Sequence, residues 1–269
     1  MAQLKINPKL FAQDYLTDTK NLTRLKSRAT LTSDGIHDLR VSARRAQMMI
    51  RLLPKQTRGS GPYGKLDLAL RSLLRSTSKF RDSGVLLKTL DQYKKLLSQQ
   101  ALGSLEKVNR DGEAAARAAV KRFSKVTMPA MKKSGIDGKK LSKRLRRRIR
   151  KRSTEAGRLL RKVVRNESKV RELHQLRLEA KKLRYLLELA DDKPKELAPL
   201  SRWQDTLGMI HDIDVAITFV EDHSRTPSIQ VLNDLRRVRH MEYGRFLSQV
   251  NADFAGDLRG SKILEMKKG

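Results

Sequence analysis

The sequence predicts an all-α protein made of two pseudo-symmetric four-helix bundles of long antiparallel helices. Apolar residues recur at helical spacing through most of the 269 residues, and no segment alternates as a β-strand would. Glycine- and proline-marked breaks separate segments of about two to seven turns, which is typical of antiparallel helices joined by short connections. A pattern of residues in the first half of the chain also returns in the second. We therefore predict two similar bundles, residues 1–135 and 136–269, packed as one domain.

Each half contains a histidine at the head of a basic amphipathic helix. The stretch HDLRVSARR starts at His37, and HQLRLEAKK starts at His174. A second pair of stretches follows at a slightly shorter offset, FRDSGVLLKTL from Phe80 and IHDIDVAITFV from Ile210. Since the order is the same in both halves, we interpret the pattern as an internal repeat.

Glycine and aspartate residues mark the predicted ends of several helices. Gly84 follows a serine and Gly112 follows an aspartate, combinations that predict a break between helices. Asp82 and Asp212 precede apolar helical segments, so each is predicted to cap the helix that follows it. Both aspartates would then have a structural role.

The helix that starts at His174 places cations directly beside its apolar face. At about 100° per residue, Arg177, Lys181 and Arg184 fall next to the arc of leucines that faces the core. This cationic arc is predicted to lack acidic partners, whereas a solvated helix face usually mixes signs at i, i+4. Like charges at this spacing destabilise a helix by about 0.2–0.5 kcal/mol per pair, which a bound polyanion would offset. In the first half the same arc consists of His37, Arg40, Arg44 and Arg51.

The run KKLSKRLRRRIRKR, from Lys139 to Arg152, is either a disordered basic tail or part of an amphipathic helix. Apolar residues continue through it and on to Val163 at helical spacing, which favours one long helix. We predict that this helix packs beside the one that starts at His174. The cations that project from another side of it are Arg144, Arg148, Lys151, Arg158 and Lys162.

The charge balance indicates a polyanionic partner. Lys and Arg number 60 against 29 Asp and Glu, and a net charge of +31 opposes compaction by self-repulsion. Aromatic residues make up only 4% of the chain, which argues against recognition by base stacking. The absence of cysteine excludes disulfides, thiol catalysis and cysteine-ligated zinc. With no signal-peptide core and no apolar run of about 18 residues, the expectation is a cytoplasmic protein without a membrane partner.

The repeated stretches resemble those of the CHAD domain, the conserved-histidine α-helical domain. The matching stretches are HxLRxxxKxLRYxLE and HDLRVxxRR, with FRDSGV and LGMIHDIDVA similar to the segment LGxxRDxDV of that family. The resemblance implies two four-helix bundles related by a pseudo-two-fold axis, with a basic surface shared by both that binds inorganic polyphosphate. It also implies association with polyphosphate granules.

The resemblance carries the family's basic positions onto this chain residue by residue. Two positions depart from the family's pattern: Gln47 stands at a commonly basic position, and His211 stands where an arginine is expected before Asp212. Phosphate contact is therefore not carried over to Gln47 or His211. The matching positions are His37, Arg40, Arg44, Arg45, Arg81, His174, Arg177, Lys181, Lys182 and Arg184.

Two other functions were weighed against polyphosphate binding. An enzyme could use His211 and Asp212 as a metal-binding pair, but only His223 and His240 remain as further histidines, and neither lies in a ligand motif. We therefore predict no catalysis and no cofactor. Non-specific DNA or RNA binding remains the alternative, because nucleic acid presents similar phosphates and would bind with the same dependence on salt.

Overall fold

The structure describes residues 4–27, 32–59, 61–131, 136–190, 197–224 and 228–255, and most of these residues are α-helical. This computed structural model contains no β-strand in those ranges, so the all-α prediction is confirmed. The arrangement as two pseudo-symmetric four-helix bundles stays a prediction. The helices are α1 Pro8–Ser27, α2 Ser33–Leu52, α3 Lys55–Gly59, α4 Pro62–Ser76, α5 Ser78–Leu90, a 3₁₀ helix Asp91–Leu96, α6 Gln99–Ser124, α7 Gly138–Val163, α8 Val170–Leu187, α9 Leu197–His223 and α10 Ile229–Ala255.

The helices form two compact units. The first unit comprises Ile6–Lys88 and Leu102–Leu141, and the second comprises Met1–Lys5, Thr89–Ala101 and Ser142–Gly269. The segment from Thr89 to Ala101 therefore packs with helices that follow it much later in the chain. The predicted division into 1–135 and 136–269 stays a prediction, and residues 132–135 at its boundary lie outside the described ranges.

A buried tyrosine fastens the 3₁₀ helix to α10 within the second unit. The Tyr93 hydroxyl donates a hydrogen bond to Asp234 Oδ2 at 2.5 Å. Burial, and then this hydrogen bond, raises the pKa of Tyr93 to about 12. The same bond, together with Arg237, holds the pKa of Asp234 below its ordinary value. This contact explains why the 3₁₀ helix belongs to the second unit although it precedes α6.

The basic run from Lys139 to Arg152 belongs to one continuous helix, as predicted. Asp137 caps α7, because its Oδ1 accepts the Lys140 amide at 3.0 Å. That backbone hydrogen bond is the main reason that the pKa of Asp137 is lowered. The predicted apolar face is buried along the whole length of α7, at Leu141, Leu145, Ile149, Ala156, Leu160 and Val163.

The apolar face predicted for α8 also lies in the core. Burial of this face holds the cations of α8 in fixed positions relative to α9, against which α8 packs. The predicted core residues that are buried are Leu173, Leu176, Ala180, Leu183 and Leu187.

The predicted breaks at Gly84 and Gly112 and the predicted caps at Asp82 and Asp212 are wrong. Each of these residues lies inside a helix. Asp82 and Gly84 lie in α5, Gly112 lies in α6, and Asp212 lies in the middle of α9. The helices are longer than local propensity indicates, because packing of their apolar faces outweighs the small cost of an internal glycine.

Gly112 is required where α6 crosses α5. A Cβ atom added at this position would lie 3.0 Å from both Cα and N of Phe80, which are backbone atoms and cannot rotate away. Nearby, the Ser83 hydroxyl donates to Phe80 O at 2.9 Å and lies 3.1 Å from Asn109 Oδ1, so the two helices are also joined by side chains. The glycine thus allows close contact between helices and does not end one.

Replacing Gly112 with alanine should lower the free energy of unfolding by about 1–3 kcal/mol, because the two helices must separate to admit the methyl group. Gly103 on the same helix is the matched control, since a Cβ there meets nothing within 4 Å. Gly103→Ala should stabilise the protein by up to about 1 kcal/mol through helix propensity. Urea unfolding followed by circular dichroism would measure both, and equal effects of the two substitutions would contradict the close crossing.

Candidate functional site

Two histidines from neighbouring helices contact each other in the second unit. His174 on α8 and His211 on α9 have their Nδ1 atoms 3.1 Å apart. The ring centroids are 4.5 Å apart with the planes tilted by 56°. Both side chains are half-buried. The structure therefore brings His211, to which the resemblance does not carry phosphate contact, directly against the histidine of the second repeat.

A carboxylate and an arginine lie behind the two histidines. Arg239 on α10 donates from Nε to Asp214 Oδ1 at 2.5 Å and from Nη2 to the backbone oxygen of Glu167 at 3.0 Å. Burial raises the pKa of Asp214, while Arg239, and to a smaller extent His174, act in the opposite direction. Asp214 thus ties α9 to α10 at the point where the histidines meet.

The equivalent arginines of the two repeats, Arg40 and Arg177, are both buried, with 7% and 8% of their surface exposed. Arg40 donates from Nη1 to the backbone oxygen of Leu74 and to the Thr77 hydroxyl, each at 2.7 Å. A guanidinium at this position stabilises the carboxyl-terminal end of α4, where the helix dipole is negative. Contact between Arg40 and a phosphate stays a prediction, and the geometry favours a role in positioning.

A buried glutamate joins α7 to α8. Both carboxylate oxygens of Glu179 accept from Arg152 Nη1, at 3.0 and 2.9 Å, and Oε1 also accepts from Lys182 Nζ at 2.8 Å. The Glu179 side chain is only 10% exposed. This contact is direct evidence that α7 packs beside α8, as predicted, and it gives Lys182 a partner within the protein.

The prediction that the cationic arc lacks acidic partners is wrong. Several predicted site residues form ion pairs. In two of them the acidic residue comes from another helix, which the helical wheel of a single segment cannot display. A phosphate chain at these positions would compete with a carboxylate. The pairs are Arg45 with Asp18, Arg51 with Asp67, Arg81 with Asp82, Arg158 with Glu155 and Arg184 with Glu188.

In both repeats an arginine near the end of the basic helix donates a hydrogen bond to a side chain of a later helix, but the two arginines stand at different repeat positions. In the first unit Arg51 Nε donates to Asp67 Oδ1 at 2.9 Å. In the second unit Arg184 Nε donates to Gln204 Oε1 at 2.9 Å and also pairs with the glutamate one turn later. Glu188 stands at the repeat position of Arg51, and Arg184 stands at that of Gln47. The repeat therefore preserves a polar link between helices and not a fixed charge.

Several cations have no ion pair within the described parts of the chain. Among the predicted site residues these are Arg44, Lys151 and Lys162, of which the two lysines are exposed. A further row of cations, which was not predicted from the sequence, lies on the side of α7 that faces away from its apolar residues. That row, named here the outer row, consists of Lys143, Arg147 and Arg150, all exposed.

Neither a metal centre nor a membrane span is found among the residues that the structure describes. No group of three or more histidine, cysteine, aspartate or glutamate side chains there could hold a metal ion. Across the same residues no helix is long and apolar enough to cross a bilayer.

A family model for the CHAD domain matches residues 19–221, about three quarters of the chain. The chain belongs to the CHAD domain family. The crystal structure of the CHAD domain from the plant Ricinus communis is similar in fold, with a TM-score of 0.52 over 97% of this chain and 91% of that chain. Sequence identity to it is 18%, so the likeness concerns the fold alone. No curated protein matches the sequence.

Two residues of this CHAD domain site could not be found from the sequence. Asp214 belongs to no motif of the repeat, and Arg239 lies beyond the residues that the family model matches. Their contact depends on the packing of α10 against α9. The sequence feature that pointed to this part of the molecule was His211, because it stands where the family has an arginine.

Proposed function

We propose that this CHAD domain binds inorganic polyphosphate without catalysing a reaction on it. The observation that carries the proposal is the row His174, Arg177 and Lys181 on one face of α8, which packing holds partly or fully buried. Phosphate oxygens suit both arginine forks and lysine charges, and the packing of α8 holds these side chains in place for such a ligand. Lys151 and Lys162, which are exposed on α7, are predicted to extend this cationic surface.

The excess of positive charge supports the same proposal. A net charge of +31 remains after every acidic residue is counted against a cation. A partner with dense negative charge would relieve the repulsion among the remaining cations. Scarcity of aromatic side chains favours a ligand without bases. Binding of this kind would place the protein at polyphosphate granules in the cytoplasm.

The outer row of α7 favours a second candidate, non-specific binding of nucleic acid. Lys143, Arg147 and Arg150 are exposed and follow one another at i, i+4 and i+7. A row of this kind can contact successive backbone phosphates of a duplex without reading bases. Polyphosphate would instead use the partly buried cations of α8.

Competition between the two polymers tests the proposal. Purified protein carrying labelled duplex DNA would be titrated with long-chain polyphosphate and with unlabelled DNA, at equal phosphate concentration and about 0.15 M salt. We expect polyphosphate to displace the label at a concentration about tenfold lower per phosphate, because its linear anion can reach the α8 row. If DNA competes better per phosphate, nucleic acid is the primary ligand and the proposal fails.

A further inference from the structure

The contact between His174 and His211 requires a shared proton. A neutral imidazole has one nitrogen that donates and one that accepts. Two Nδ1 atoms at 3.1 Å can form a hydrogen bond only if one ring donates there and the other accepts. When both rings are protonated to imidazolium, both Nδ1 atoms carry protons, the hydrogen bond is lost and two cations lie in contact.

Charged groups from α8, α9 and α10 and from the segment before α8 lie around the pair. Asp214 from α9 lowers the cost of a charge on His174, but its carboxylate is already bound by Arg239 from α10. Arg177 adds a positive charge one turn later on α8. The carboxylate of Glu167, which precedes α8, binds His240 of α10 through Oε2 at 2.9 Å.

A phosphate group placed against the two rings changes this balance. Its oxygens can accept a hydrogen bond from each protonated imidazole, so they replace the lost ring-to-ring bond and separate the two positive charges. Binding of the phosphate and uptake of the second proton then favour each other, as linkage requires. The pair is suited to a phosphate ligand whose affinity depends on pH.

This arrangement is particular to the second half of the chain. At the position of His211 the first half has Arg81, and the aspartate that follows is present in both halves, as Asp82 and Asp212. Arginine is charged at every physiological pH, so the first half cannot respond to protons in this way. The first-half histidine, His37, is exposed and has no histidine neighbour in the described residues.

We propose that His174 and His211 together form a phosphate-binding subsite that takes up one proton as a polyphosphate chain binds, so that affinity rises as pH falls. The inference rests on the proposed function and adds His211 to it as a residue that contacts the ligand. It assigns pH regulation to the second unit alone.

Affinity for long-chain polyphosphate would be measured at constant ionic strength from about pH 8 to about pH 5.5, on both sides of the ordinary histidine pKa. One linked proton changes affinity by at most about tenfold per pH unit. As the pH falls across this range, we expect the polyphosphate affinity of the natural protein to rise about tenfold more than that of His211→Arg, which carries a permanent charge. His211→Gln should keep the hydrogen bond to His174 but lose the gain at low pH. His223→Gln on the same helix is the control and should behave as the natural protein does.

A second measurement examines the protonation of the two histidines directly, without and with polyphosphate. Nitrogen-15 spectra of the imidazoles should show His174 and His211 titrating as one coupled pair in two separate steps, and polyphosphate should move the lower step to higher pH. Polyphosphate binding that has the same pH dependence in the natural protein and in His211→Arg overturns the inference and leaves the proposed function standing. No polyphosphate binding at any pH overturns both, whatever the spectra show.

Discussion

Replacing Arg239 with methionine should lower the free energy of unfolding of the second unit by about 2–3 kcal/mol at neutral pH. The substitution leaves the carboxylate of Asp214 largely buried, with 15% of its side chain exposed, and removes its cationic partner. It also removes a donor from the backbone oxygen of Glu167. An isolated buried charge is far more costly than a pair, which is why removal of one partner has a large effect.

The pH dependence of this effect has a definite sign. Burial raises the pKa of Asp214, so the folded protein holds the proton on this carboxyl more tightly than the unfolded chain does. Its contribution to stability is therefore greatest in acid and falls as pH rises from the ordinary pKa to the raised one. Without Arg239 the pKa of Asp214 should rise further. The deficit of Arg239→Met should consequently become smaller between pH 7 and pH 5.

Asp214→Asn supplies the matched background for this experiment. In that background Arg239→Met removes no partner from a charge, so its cost should be smaller and independent of pH. Trp203 is the one tryptophan and lies on α9 in the same unit, where its Nε1 donates to Asp253 at 2.8 Å, so its fluorescence reports on this unit. Equal costs of Arg239→Met in the two backgrounds would show that the ion pair does not stabilise the unit.

The helices and their buried faces could be predicted from the sequence because both depend on local spacing. The apolar residues of α7 and α8 recur every three or four positions, and burial follows from that period alone. The predicted breaks at Gly84 and Gly112 failed for the opposite reason. Whether a glycine ends a helix or admits a neighbour depends on the partner helix, and a single segment does not contain that information.

The site was predictable as a set of cations but not as a set of contacts. Repetition identified His174 and the cations of α8, since only comparison between the halves distinguishes them from other charged helix positions. The partners Asp18, Asp67 and Asp214 each come from another helix, so the helical wheel of the arginine's own segment does not include them. The internal partner of a cation decides how available it is to a ligand, and that follows only from packing.

Removing one lysine charge from the α8 row and two from the preceding helix α7 should weaken polyphosphate binding by about 10- to 100-fold at about 0.15 M salt. The variant Lys151→Gln/Lys162→Gln/Lys181→Gln changes exposed or half-exposed side chains, so the fold should persist. Buried Arg177 is left in place because its replacement would test stability as well as binding.

The outer row provides a control with the same change in net charge. Lys143→Gln/Arg147→Gln/Arg150→Gln also removes three positive charges, all of them from the side of α7 that faces away from its apolar residues. If affinity depends on local contacts, this control should lose less than about threefold, and the slope of affinity against salt should fall by about one unit per contact only in the first variant. Equal losses in the two variants would mean that the net charge of the protein governs binding and that the α8 row is not the site.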